Sequence, residues 1–218
     1  MTSAGARSGE KAPPPTGSLR AQSGARVRRA LVDAALQLFA TQGYDETTTT
    51  EIAAAAGVSP RTFFRYFPTK ERVLFFGEYD FIRSFADGYL AQPAEMSSLE
   101  AMSAAFALLA PRVNRLRGRI RLYQRAVASS AVLRGREREV DDENVLTMAV
   151  AIATRRGLDE PDRSCDLEAH VGMATFRFSM RRWLDAPSGS ELAPHLAEDF
   201  ARLATFSAAP RRRGRFGS

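Results

Sequence analysis

From about residue 28 to residue 207, apolar residues recur every three or four positions, the spacing of one face of a helix. No stretch alternates as a half-buried strand would, and no hairpin dipeptide joins two such stretches. In RRALVDAALQLFATQGY, Leu31, Ala35 and Leu38 share a stripe flanked by Ala34 and Phe39, and Gly43 closes the run. In TTTTEIAAAAG, Thr48 caps a short helix with Glu51 at the capping-box spacing, and Gly57 ends it. Ser59 then caps a third helix with Pro60 at its favoured first position, and Pro68 stops that one. Thr69 caps a fourth, predicted from Lys70 to about Leu90. Five more are predicted: Ser98 to about Asn114, about Arg117 to Ser130, Glu137 to Arg156, Cys165 to Leu184, and Ser190 to about Ser207. The fold class that follows is all-α, an N-terminal three-helix helix-turn-helix head followed by a larger helical body.

The two ends do not share this periodicity. Residues 1–24 are rich in Ser, Gly, Ala and Pro, with Pro13, Pro14 and Pro15 in a row. They bury too little apolar area to offset their ordering entropy, so 1–24 is expected to be a disordered basic arm. Residues 209–218 are expected to be a similar tail. The head is then assigned to 25–69 and the body to 70–208.

Composition narrows the picture only slightly. With 44% apolar and 26% charged residues the chain has the make-up of a globular protein rather than a disordered one. No run of 18 or more apolar residues appears, so no membrane span or membrane partner is expected. The N-terminus lacks the apolar centre of a secretory signal, and a single cysteine, Cys165, suits a reducing compartment; both point to the cytoplasm. The net charge of +6 comes from the ends: residues 1–29 carry six basic side chains against Glu10, and PRRRGRFGS carries four arginines and no acid. The stretch between is mildly acidic, so local clustering rather than global charge must identify any polyanion site.

The strongest local cluster is AGVSPRTFFRYFPTK, residues 56–70. On a helix from Pro60, Phe63, Phe64 and Phe67 form one apolar stripe, while Arg61, Arg65, Thr62 and Tyr66 fall on the opposite side. The stripe is expected to pack onto the first helix and leave the arginines facing outward. Two short helices about a tight glycine turn, the second with a cationic outer face, form a helix-turn-helix whose second helix fits the major groove of DNA. Arginine suits bidentate contact with guanine or phosphate. Ser59, Pro60, Arg61 and Thr62 lie where base edges come within reach, and Arg61 is the expected base reader. Arg65, Tyr66 and Lys70 are assigned to phosphates. Thr48 and Thr49 open the preceding helix, where capping and phosphate contact are both open to them. Arg26, Arg28 and Arg29 are expected either to reach the duplex from the arm or to sit in a solvated tail.

The run GYDETTTTEIAAAAGVSPRTFFRYFPTKERVLF resembles the N-terminal DNA-binding domain of TetR-type (TetR/AcrR) transcriptional regulators. Gly43, Tyr44, Thr47, Thr48, Ile52, Ala53, Ala56, Gly57, Val58, Ser59, Phe67 and Lys70 match the pattern of that family. Arg61 stands where a small residue is common and Phe64, itself counted among the expected DNA-binding residues, where Tyr is common. The resemblance covers roughly residues 26–76; beyond them it extends only to length and helicity. It implies a ligand-responsive regulator that binds a palindromic double-stranded DNA operator as a homodimer; a repressor is expected, with activation the alternative that these residues leave open. The dimer contact is implied over roughly 165–185 and 190–207, where Leu167, Val171, Met173, Ala174, Phe176, Phe178 and Trp183 lie on more than one helix face. A fully buried helix within one monomer is the alternative. It also implies a pocket for an apolar or amphipathic small-molecule effector, with candidate walls at Phe76, Tyr79, Phe106, Tyr123, Met148, Met173 and Phe176. Phe75, Phe85, Tyr89 and Met102 are further candidates. Such stripes at helical spacing also serve as plain core.

Two other classes stand beside this reading. An enzyme would have to draw on His170, His195 and Cys165, with no Gly-rich phosphate loop and no metal-ligand spacing, so no catalytic residue, metal or cofactor is expected. The run Asp141-Asp142-Glu143 reads as a solvated helix face. A helical protein-interaction module using the same head is the second alternative.

Overall fold

The computed structural model describes residues 16–75 and 78–208, with side chains over 22–75 and 80–205. Among these residues there are only helices and connecting turns: α1 (Thr16–Gln42), α2 (Thr49–Ala55), α3 (Pro60–Tyr66), α4 (Glu78–Leu90), α5 (Ser98–Asn114), α6 (Arg117–Ser129), α7 (Ala131–Arg155), α8 (Arg163–Asp185) and α9 (Leu192–Ala208). The all-α expectation holds, and the differences lie at the boundaries. α1 begins at Thr16, inside the stretch expected to be a disordered arm. Only residues 1–15 of that arm, and the tail 209–218, lie outside the described residues. Thr16 to Gly24 follows the proline run with no further proline, and extending a nucleated helix costs little per residue even across Gly17 and Gly24. The single helix expected from Lys70 to Leu90 is instead a 3₁₀ turn over Glu71–Val73 and then α4. α7 starts six residues earlier than expected, directly after Ser130, whose hydroxyl accepts from Val132 N.

Two cores hold the molecule. The head core gathers Leu31, Ala35 and Phe39 of α1, Ile52 and Ala53 of α2, Phe63 and Phe67 at α3, and Val73 and Leu74. It also takes Ala126 and Val127 of α6 and Leu133 of α7, so the head is not closed by residues 25–69 alone. α6 is the strut between the parts: Arg119 pairs with Asp33 of α1 at 3.2 Å. Two residues earlier in the same turn, Arg117 donates to the carbonyls of Trp183, Leu184, Ala186 and Pro187 at the end of α8, where a cation suits the exposed carbonyls. The guanidinium also lies 5.0 Å from the Trp183 ring centroid.

The body core is built from α4, α5, α7, α8 and α9 around stacked rings. Phe85 lies 4.2 Å from Phe106, and Phe106 lies 4.3 Å from Phe176, centroid to centroid. Met102, Met148 and Met173 fill the remaining space. Gly172 lets Met102 approach closely: a Cβ added to it would stand 2.5 Å from Met102 Sδ unless that side chain moved aside. α8 and α9 are tied by the buried Asp199, which accepts from Ser179 Oγ at 2.8 Å and from Arg182.

Candidate nucleic-acid interface

The geometry of the interface begins at the end of α1. Gly43 adopts φ +92°, a conformation that costs glycine little, and turns the chain so that Tyr44 tucks edge-on against Phe39 at 5.2 Å. Thr48 N donates to Glu51 Oε2 at 2.7 Å, its hydroxyl donates to the same oxygen at 2.8 Å, and Glu51 N returns a bond at 3.2 Å. These bonds, the backbone one foremost, hold the Glu51 carboxyl below the usual carboxylate range. Thr48 is therefore occupied as a cap. Thr49 is half-buried in the first turn of α2.

α2 ends on Gly57 at φ +69°, with Val58 N bonded to Ala53 O at 2.9 Å, a closure that satisfies the last carbonyls of the helix. Ser59 Oγ then accepts from Thr62 N at 3.2 Å, and Pro60 opens α3. The Thr62 hydroxyl lies 3.0 Å from Ser59 Oγ, so both groups at the start of α3 are oriented by the cap. α3 carries its two faces as the spacing demands, with one exception. Phe63 and Phe67 are buried, at 0% and 3% exposure. Phe64, placed on the same stripe by the sequence, is 52% exposed and touches the core only edge-on through Phe63 at 5.4 Å. The helix is two turns long and packs chiefly on α2, and the third phenylalanine reaches past that contact.

Ser59, Pro60, Arg61 and Arg65 are exposed, and Thr62 and Tyr66 are half-buried. Arg61 has no hydrogen-bond or ion-pair partner among the described residues. Arg65 lies over the Tyr66 ring at 5.0 Å, and Arg28 of α1 approaches the same ring at 5.3 Å. Tyr66 is thus the point where α1 meets the far end of α3, and Arg28, expected on an arm, is on a helix beside the interface. Lys70 corrects its assignment. Its Nζ points inward, donating to Tyr44 O at 2.7 Å and Thr47 O at 2.8 Å rather than facing a phosphate. Those carbonyls lie in the turn after α1 and lack helical partners, and an ammonium is a strong donor to satisfy them.

Residues 31–75 match the family described as bacterial regulatory proteins, tetR family, and residues 93–207 match the MftR C-terminal domain of tetR-type regulators. The chain belongs to the tetR family. It is a DNA-binding transcriptional regulator with a helix-turn-helix head. TcmR of Streptomyces glaucescens, an HTH-type transcriptional regulator, is 35% identical over 154 residues, 66% of each chain. The HTH-type regulator BetI of Rhizobium meliloti is 51% identical over 47 residues, 22% of this chain and 23% of its own length. The chain thus spans about two thirds of the one relative and under a quarter of the other. FadR of Thermus thermophilus, a TetR-family transcriptional repressor solved with lauroyl-CoA, superposes with a TM-score of 0.53 at 26% identity, covering 88% of this chain and all of that one.

In this tetR-family chain the body residues expected to line a pocket divide. Phe106, Met148, Met173 and Phe176 come together with Phe85, Tyr89 and Met102 in the body core. Tyr123 does not join them: it packs edge-on against Phe75 at 5.9 Å beside the head core, because α6 presents that face to α1. Phe76 and the side chain of Tyr79 lie outside the described residues. Along α8, Leu167 is 65% exposed and Phe178 49%, with Ala174 exposed between them. Val171, Thr175, Phe178 and Leu203 line a shallow apolar groove of about 370 Å³ between α8 and α9. No described helix is long and apolar enough to cross a membrane.

Proposed function

We propose that the chain is a cytoplasmic repressor. As a homodimer it binds a palindromic operator, lays α3 of each protomer in the major groove, and lets go when a small apolar or amphipathic molecule occupies the body. The observation that carries this is α3 itself: a helix anchored by Phe63 and Phe67 whose outward Arg61 has no hydrogen-bond or ion-pair partner among the described residues and whose Phe64 is half exposed. Arg61 is assigned to a base edge, Phe64 to apolar contact with a thymine methyl group, and Arg65, Tyr66 and Thr49 to phosphates. Ser59, Pro60, Thr62 and Thr48 shape the end of α3 and the start of α2 that face the duplex.

One such head reads only a few base pairs, so two heads about 34–36 Å apart supply the specificity. The uncovered face of α8 with the α8–α9 groove supports the dimer, since Leu167, Ala174 and Phe178 together expose more apolar surface than one protomer uses. The lauroyl-CoA bound by the Thermus relative supports an amphipathic effector for this chain. An effector that binds only a state with mis-spaced heads releases the operator through differential affinity. No reaction is assigned to the protein. The test is an electrophoretic shift with duplexes from upstream of its own gene, titrated with salt: specific complexes that dissolve steeply as salt rises support the reading. Binding only to other proteins, with no shift at low salt, removes it.

A further inference from the structure

The body core holds two buried polar atoms that no described residue satisfies, and they share one neighbourhood. Tyr89, in the last turn of α4, is fully buried, and its hydroxyl has no hydrogen-bond partner. The polar groups around it are Ser98 at the start of α5, Arg155 and Arg156 at the end of α7, and Glu168 in α8. Ser98 stands close enough to act on the hydroxyl, yet neither it nor the others meets it in full hydrogen-bond geometry. Arg155 is committed elsewhere: it donates to Gln92 O at 2.8 Å and Met96 O at 3.2 Å, closing the end of α4, and lies 5.3 Å over the Tyr89 ring. Arg156 pairs with Glu168 Oε1. The other carboxylate oxygen, Oε2, is buried and has no partner.

A buried donor and a buried acceptor, both unmet, are costly to keep, and such groups in a native fold call for a ligand, a water or a functional reason. This pair stands at the end of the ring stack, since Phe85 stacks on Tyr89 at 6.0 Å and on Phe106 at 4.2 Å. Beside the stack, the space over Gly172 is filled by the thioethers of Met102 and Met148, side chains that repack easily.

We propose that the Tyr89 hydroxyl and Glu168 Oε2 receive the polar end of the effector, a neutral hydroxyl or primary amide. That group accepts a hydrogen bond from Tyr89 and donates one to Glu168. The apolar remainder of the molecule lies along the Phe85–Phe106–Phe176 stack as the Met102 and Met148 side chains yield. The inference rests on the reading above that the body holds an effector, and it names that effector's chemistry.

The test uses the full chain, with decan-1-ol and its methyl ether as probes, compared by titration calorimetry. The ether keeps the acceptor oxygen but cannot donate to Glu168. The wild type should bind the alcohol about tenfold or more tightly than the ether, since a site built for a hydroxyl leaves its groups unpaired with the analogue. Tyr89→Phe should weaken alcohol binding. It should also leave the thermal midpoint of the unliganded protein unchanged or raised, because the lost hydroxyl has no partner. Equal binding of the two probes, no binding of either, or a lowered midpoint in Tyr89→Phe would overturn the assignment; the last would mean that an ordered water already occupies the site. An operator shift on the same preparation separates the two claims. A protein that binds its operator but does not discriminate the probes sinks only this inference, and one that discriminates them without binding DNA sinks the regulatory reading.

Discussion

Lys70 is locked onto Tyr44: its Nζ donates to the Tyr44 carbonyl at 2.7 Å and stands 4.0 Å from the centroid of the same residue's ring. With the bond to Thr47 O this staples the turn between α1 and α2 to the segment that follows α3. Lys70 therefore holds the head in shape and leaves the phosphate contacts to other residues. Lys70→Ala should destabilise the protein by about 1–3 kcal/mol, because the Thr47 carbonyl loses its ammonium partner and the Tyr44 carbonyl keeps only its turn bond from Thr47 N. It should leave the slope of log affinity against log salt unchanged. Arg65→Ala should do the reverse, lowering the slope by about one per protomer with little effect on stability. Denaturation and anisotropy across a salt series check both.

Phe63 and Phe64 are neighbours in sequence with opposite duties. Phe63→Ala empties a fully buried site and should cost about 3–5 kcal/mol of stability. Phe64→Ala removes a half-exposed ring and should cost no more than about 1 kcal/mol. Its affinity should fall on operators with thymine under α3 and not on those lacking it. Equal destabilisation by the two would return Phe64 to the core.

Burial and the neighbouring Glu71 carboxylate push the Tyr44 phenol up from 10 to about 12. A raised phenol keeps its proton in the folded state after the unfolded chain has lost its own. The contribution is present below pH 10 and is lost as pH rises toward about 12. Stability of the wild type should therefore fall more steeply than that of Tyr44→Phe across this window, as urea midpoints at stepped pH would show.

Much of the head was legible before any coordinates, because its signals are local. Thr48 with Glu51, Gly57, and Ser59 with Pro60 each act within four residues, and all sit where their chemistry demands. What could not be read depends on partners distant in sequence. The inward turn of Lys70 needs Tyr44 and Thr47, 26 and 23 residues earlier. The exposure of Phe64 depends on how much of α3 its neighbouring helices cover, and the place of Tyr123 on which face α6 turns to α1. The unmet Tyr89 and Glu168 atoms, brought together by two helices far apart in sequence, carry no sequence signature at all.

The exposed ring of Phe178 sits in the α8–α9 groove with Arg182 at 5.9 Å. Phe178→Glu should place a charge in the proposed dimer contact, cost at least about 2 kcal/mol of association, and weaken operator binding with it. Sedimentation should then show monomers at concentrations where the wild type is dimeric. An unchanged mass with unchanged operator binding would move the contact elsewhere.

The central claim is that Arg61 reads a base from an outward-facing α3. Its most direct test is the affinity of wild type and Arg61→Ala for duplexes selected from a random pool by the wild type, against scrambled duplexes of the same composition. The wild type should prefer the selected duplex, and Arg61→Ala should lose about 1–3 kcal/mol of that preference, concentrated at one base pair of each half-site. Identical preferences for the two proteins, or no duplex bound by the wild type at low salt, would contradict the account.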